Sequence, residues 1–399
     1  MAADAVLQVP LDHSAAPALS KPPPPRLDFL DGLRALAAIH VIFLHAGMTV
    51  WDTGSNRLAP WFFDALLHWF GNAHYAVVAF ITLSGFCLTL PLVRDDGLRP
   101  LRSLDFFKKR CKRILPPYWL ALVLSALLGL TLLSQKTQTV WDISIPVTAK
   151  AFLTHVALIH NVTRNDSTIN YPLWTIAVEW QIYLCFPLIV LALRRFSPIT
   201  ILTIAIIACY SAAFLLRHTP FSGLTCQFLV LFLLGSVACL VVRSTFPYAI
   251  MVRRHAPTLL AAVIIAALAL FTLNGLMSSY DVWRYQWLLD LPAGIIFAAF
   301  LVCLPRFPAL RRPFESKLLV AIGGFSYSVY LIHAPLLQFL WQYVAKPLQL
   351  SNSASFLFLC LLGIPLILTA SFLFFLVAER PFMNRRPSLP ITPKLPAIA

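Results

Sequence analysis

Charge is what this chain has least of. Only 12% of its 399 residues are Asp, Glu, Lys or Arg, and acids are the scarcer sign, 16 against 31 basic residues. Hydrophobic residues make up 59% and mean hydropathy is +0.78, which excludes an ordinary soluble globular protein and indicates a polytopic membrane protein. The formal net charge of +15 does not point to nucleic acid, because the basic residues are spread between apolar segments instead of forming one aromatic-studded domain.

Other patterns are missing too. The eight cysteines, Cys87, Cys111, Cys185, Cys209, Cys226, Cys239, Cys303 and Cys360, fall almost all inside apolar stretches without paired spacing. They read as small buried hydrophobes, not as a disulfide framework or a zinc site. The histidines lack ligand spacing, so neither a metal nor a tightly bound cofactor is expected. No internal repeat is evident, which counts against transporter folds built from duplicated halves. No cleavable signal peptide is expected either: residues 1–26 are polar, with Pro22 to Pro25 in a row, and read as a disordered cytosolic tail. A second short proline-rich tail is expected at 384–399.

What remains is a series of apolar segments near 29–49, 74–93, 116–135, 173–193, 198–216, 224–242, 257–275, 289–304, 318–345 and 354–378. With the N-terminus cytosolic, the cytosolic regions hold 23 Lys and Arg and the opposite side 7. The positive-inside rule then predicts an all-α membrane protein, a bundle of about ten transmembrane helices with both termini cytosolic. Two sequons, at Asn161 and Asn165, fall on the outer side and are candidate glycosylation sites.

The first segment carries Asp31, Arg34, His40 and His45. Ionisable groups inside a spanning helix cost about 2.5 to 3.5 kcal/mol each and normally face a bundle interior or a wet cavity. Eleven steps at 100° bring Arg34 and His45 onto one face, about 16.5 Å apart, with Asp31 close to the same face. His40 lies about 140° round from His45. The Arg34 face is therefore expected to line a site.

Further polar residues recur in other segments. Ser84 and Gly85 interrupt the second, where they suit close helix packing or a backbone approach to a ligand. The stretch Asp105 to Trp119 gathers five Lys and Arg before a Pro116-Pro117 break and a Tyr118-Trp119 girdle. It suits membrane anchoring, or phosphate binding at a cytosolic pocket mouth. Glu179 lies two turns into the fourth segment with Tyr183 four residues on, and needs a partner such as Arg34, His45 or His333. Tyr330 and His333 lie on neighbouring parts of one face of the ninth segment, where His333 reads equally as a packing residue. Glu379 closes the last segment, and local pairing with a basic loop is its expected role.

In order, Arg34-x10-His45, Leu83 to Phe86 (LSGF), Arg110, Arg113, Pro116 and Tyr118, Leu173 to Leu184 (LW…VE.Q.YL), Ser326 to His333 (SYSVYLIH) and Glu379 to Phe382 (ERPF) resemble the integral-membrane acyltransferase-3 family. The resemblance covers about residues 27–383. It implies an acyl-CoA-dependent O-acyltransferase acting on a hydroxyl of a small molecule or sugar. Acyl-CoA is then a co-substrate and the lipid bilayer and acceptor are the other partners, with no nucleic acid. The resemblance implies catalytic roles for His45, Glu179 and Arg34, donor binding by Arg34, Arg110, Arg113 and Tyr118, and acceptor contacts from Ser84, Trp174, Tyr183, Tyr330 and His333. Thr175-Ile176-Ala177 and Glu179-Trp180-Gln181 depart from the family's usual Ser-Leu-Ser and Glu-Glu-Gln, changing the neighbours of the carboxylate but keeping it. No esterase-like domain follows the last segment, so the chain is expected to be the whole enzyme, in an endomembrane. The rival class is a proton-coupled transporter, in which the same buried Arg, His and Glu would form a substrate path.

Overall fold

A computed structural model describes residues 27–51, 73–94, 97–163, 165, 167–277 and 279–383. Both proline-rich tails, and the expectations made for them, lie outside the described residues. Eight helices are long and apolar enough to cross a membrane, and two bent pairs bring the number to ten. The fold is an all-α polytopic bundle whose only sheet among the described residues is a two-residue hairpin, β1 (Val93–Arg94) and β2 (Gly97–Leu98).

The central helices are α1 (Asp28–Val50), α2 (Ala73–Thr89), α3 (Ser103–Leu130), α5 (Trp174–Arg195) and α7 (Gln227–Arg243), with α4 (Ala149–Val156) in the outer loop. Helices α6 (Pro198–Leu216) and α9 (Ala256–Leu276) are apolar on every side and remain mostly uncovered by protein, the pattern of lipid-facing spans. A short helix α8 (Pro247–Arg254) turns by 86° from the end of α7, and α10 (Ser279–Cys303) packs beside α7. Helix α11 (Lys317–Gly324) meets α12 (Ser326–Ala345) at a 76° bend, and α13 (Asn352–Phe382) closes the bundle through π turns at Leu359–Gly363 and Phe375–Glu379.

Side chains start several of these helices. Ser197 Oγ accepts from Thr200 N at 3.1 Å before α6, with Pro198 at the first helical position, and Ser351 does the same for Ala354 N at 3.2 Å before α13. Gly85 serves packing, not a ligand: a Cβ there would lie 1.9 Å from Phe232 O, so α2 and α7 touch backbone to backbone.

The expected break at Pro116-Pro117 does not occur. Helix α3 runs through both prolines. The two prolines leave the carbonyls of Lys112 and Arg113 without their helical donors, but packing against neighbouring helices holds the turn, and beside it Tyr327 Oη of α12 donates to Ile114 O at 3.1 Å. As a result Lys108 to Arg113 belong to the early turns of a spanning helix, which fixes the directions of Arg110 and Arg113.

Candidate active site

The bundle holds a cavity of ≈ 200 Å³. Each wall is a different helix: Arg34 from α1, Ser84 and Cys87 from α2, Arg110 and Arg113 from α3, Glu179 and Tyr183 from α5, Tyr327 and Tyr330 from α12, and Glu379 from α13. Gly323 and Gly324 at the α11–α12 bend bring bare backbone to the wall. At Gly323 a Cβ would fall 1.9 Å from Asp31 O, so only glycine lets α11 approach α1 this closely.

Three guanidinium groups and two carboxylates share this space. Arg34 Nη1 lies 3.1 Å from Asp31 Oδ1, the turn-spaced partner. Glu179 has neither Arg34 nor a histidine as its hydrogen-bond partner. Ser84 Oγ donates to Glu179 Oε1 at 2.8 Å and lies 2.8 Å from Tyr183 Oη, and Tyr183 also donates to Glu179 Oε1. This hydroxyl pair satisfies a half-buried carboxylate without engaging Arg110 or Arg113, which stay available to an anionic ligand.

Glu379 corrects its expected role. It is 1% exposed, accepts from Ser328 Oγ at 2.7 Å and faces the cavity, so its partner is on α12 and not in a basic loop. The π turn at Phe375–Glu379 places it inward at the last step of the span. The sequence signal for it was present, since a carboxylate at the end of an apolar run is a membrane-boundary charge that needs a partner.

The cavity stops one aromatic layer short of His45. Tyr330 closes that end, receiving a bond from Thr175 Oγ1 at 2.7 Å and donating to Pro172 O at 3.2 Å, with Phe80 edge-on at 5.9 Å. Behind it, His45 Nδ1 and His333 Nε2 are 2.8 Å apart, their rings stacked at 5.0 Å and 6°, with Tyr171 edge-on to His45 at 4.9 Å. His333 Nδ1 faces only carbonyl oxygens, Tyr330 O at 2.8 Å and Val329 O at 3.2 Å, so it carries a proton. Neutral His333 must then accept at Nε2, His45 must donate from Nδ1, and the lone pair of His45 is fixed on Nε2.

The other sequence-derived candidates fall outside this cavity. Tyr118 is buried with its hydroxyl donating to His155 O at 2.9 Å. Trp174 stacks near His74 at 6.4 Å and Phe228 at 5.8 Å. Asn161 exchanges bonds with Gln181 and donates to Gly223 O at 3.1 Å, while Asn165 donates to Thr163 Oγ1 at 3.1 Å, so both side-chain amides are engaged. Cys87, Tyr327 and Glu379, to which the sequence assigned no site role, also stand on the cavity wall. Among the described residues no cluster of three His, Cys, Asp or Glu side chains could hold a metal ion.

The chain is similar to known proteins over most of its length. The chain is 26% identical over 347 residues to the O-acetyltransferase OatA of Staphylococcus aureus, with the same values for strains NCTC 8325 and COL. The aligned region is 81% of this chain and 52% of OatA, so the chain spans about half the length of these relatives. No solved structure matches. The sequence profile of the family described as "Acyltransferase domain" matches residues 27–376, and the chain belongs to this acyltransferase-3 family.

Proposed function

We propose that the protein is a membrane O-acyltransferase that takes a short acyl group from acyl-CoA at its cytosolic side and places it on a hydroxyl of a small molecule or sugar. The observation that carries this reading is the alignment along α1, where Arg34 faces a three-arginine cavity and His45 stands about 16.5 Å deeper with one ring nitrogen fixed as an acceptor. The donor's arm enters past Arg110 and Arg113, and its thioester comes to rest against Tyr330.

The acceptor hydroxyl meets His45 Nε2, which takes its proton as the oxygen attacks the thioester carbonyl. General-base assistance of this kind contributes about 10²- to 10⁴-fold. The new C–O bond forms, the C–S bond breaks, and the proton on His45 passes to the departing thiolate. His333 accepts from the Nδ1–H of the imidazolium and holds its orientation. Tyr330, whose hydroxyl hydrogen rests on Pro172 O, is the candidate donor to the developing oxyanion once it turns from that carbonyl. Arg34 positions the donor, and Glu179 keeps Ser84 and Tyr183 facing it.

The test is a comparison of acylated metabolites in cells expressing wild type, His45→Ala and Arg34→Ala at equal membrane abundance. Loss of one acylated product in both variants, with its free-hydroxyl precursor accumulating, supports the reading. Redistribution of metabolites across the membrane without a change in acylation overturns it in favour of transport.

A further inference from the structure

A second concavity, of ≈ 710 Å³, lies where the β1–β2 hairpin covers the ends of α5 and α7. Its wall carries four arginines from two segments, Arg94 and Arg99 flanking the hairpin and Arg194 and Arg195 ending α5. Phe246 and Tyr248, stacked at 5.6 Å and 19°, also line it. Arg194 Nε donates to Leu98 O at 3.0 Å, which ties the hairpin to α5. All four arginines are exposed, and among the described residues none is in an ion pair; Asp95 and Asp96 lie outside the described residues.

Four exposed guanidiniums lining a cleft together with a pair of stacked rings match a ligand with several phosphate oxygens and a flat base. We infer that this cleft binds the phosphorylated adenosine end of the acyl donor, while the inner cavity takes its arm and thioester. This inference rests on the acyl-CoA reading above and locates the part of the donor that the inner cavity is too small to hold. Sites for drug-sized ligands are commonly about 300 to 1,000 Å³, so ≈ 200 Å³ suits an arm with a short acyl group and ≈ 710 Å³ a nucleotide. Helix α5 lines both spaces: Tyr183 lines the inner cavity and Leu193 the cleft, ten residues and about 15 Å apart. The chain after α2 also reaches both, with Leu88 lining the cavity and Arg94 the cleft. An extended phosphopantetheine arm can cover that separation.

The same arginines would also suit the phosphate of an anionic lipid, and the experiment separates the two sources. Full-length protein in nanodiscs of zwitterionic lipid is titrated with acetyl-CoA, with adenosine 3′,5′-bisphosphate and with acetyl-pantetheine, for wild type, Arg94→Gln/Arg194→Gln and Phe246→Leu/Tyr248→Leu. The expected result is that both double variants weaken adenosine bisphosphate and acetyl-CoA at least tenfold, and that the advantage of acetyl-CoA over acetyl-pantetheine collapses with them. If acetyl-CoA binds wild type and variants equally, the cleft assignment fails and the acyl-CoA reading stands. If acetyl-CoA does not bind wild type at all, the acyl-CoA reading itself fails. If adenosine bisphosphate does not bind but phosphatidylglycerol added to the nanodiscs is retained by wild type and lost from Arg94→Gln/Arg194→Gln, the ligand is a lipid headgroup and the nucleotide assignment is overturned.

Discussion

His45 and His333 come from opposite ends of the chain, 288 residues apart, and meet through a single 2.8 Å hydrogen bond between stacked rings. Because the far nitrogen of His333 is committed to backbone carbonyls, the direction of that bond is fixed, and His45 presents its lone pair from Nε2. His45→Ala should therefore reduce acyl transfer by about 10²- to 10⁴-fold. His333→Leu removes the acceptor for His45 Nδ1–H and should lower kcat more than it raises KM, and His333→Asn, which restores an acceptor oxygen, should recover part of the loss. Steady-state rates of the three variants at matched abundance check this. Equal activity of His333→Leu and His333→Asn would show that the pair is held only by packing.

Arg110 and Arg113 face the inner cavity from consecutive turns of α3. A hydrogen bond to a charged group contributes about 1.5 to 3 kcal/mol, so Arg113→Met should raise the donor KM about 10- to 100-fold with a smaller effect on kcat. The effect should shrink in 1 M salt, where screening already weakens the wild-type attraction. Donor titrations at two ionic strengths measure both.

The helical part of this site was legible in the sequence. Eleven-residue spacing on a 3.6-residue helix is enough to align Arg34 with His45, and turn spacing is enough to pair Asp31 with Arg34. The tertiary part was not. Glu379 finds Ser328 across 51 residues, and Glu179 finds Ser84 across 95, so neither partner leaves a periodic trace in its own segment. Proline at 116 and 117 misled for a physical reason: local propensity describes an isolated helix, whereas in a bundle the surrounding helices hold such a turn in place, as where Tyr327 of α12 bonds to Ile114 O beside the prolines. The arginine cleft is less visible still, because it is assembled from a hairpin, a helix end and a bend that are scattered over more than 150 residues.

Ser328 supplies the hydrogen bond that satisfies the buried Glu379 carboxylate. Ser328→Ala leaves that carboxylate one donor short, at a cost of about 1 to 3 kcal/mol. The variant should melt several degrees below wild type in detergent, whereas Ser328→Thr, which keeps the hydroxyl, should lose less. An unchanged melting temperature for Ser328→Ala would mean that water or Arg113 replaces the lost bond.

Outside the spans, His155 and His160 stack at 3.7 Å in the outer loop, and His155 Nδ1 donates to Ala151 O at 2.7 Å. Burial, with His155 alongside, holds His160 down to about 3, and burial also lowers His155. The unfolded imidazole, near 6.5, takes up a proton that the folded ring refuses, so the stability contributed by this pair is complete above about pH 7 and falls as the pH drops through 6.5. The loss levels off only near pH 3, where folded His160 also protonates. At pH 5 the share due to His160 alone is about 2 kcal/mol. His160→Phe keeps the stacked ring and removes the titration, so its melting temperature should fall less than that of wild type between pH 7.5 and pH 5. Parallel curves for the two proteins over that range would place the acid sensitivity elsewhere in the molecule.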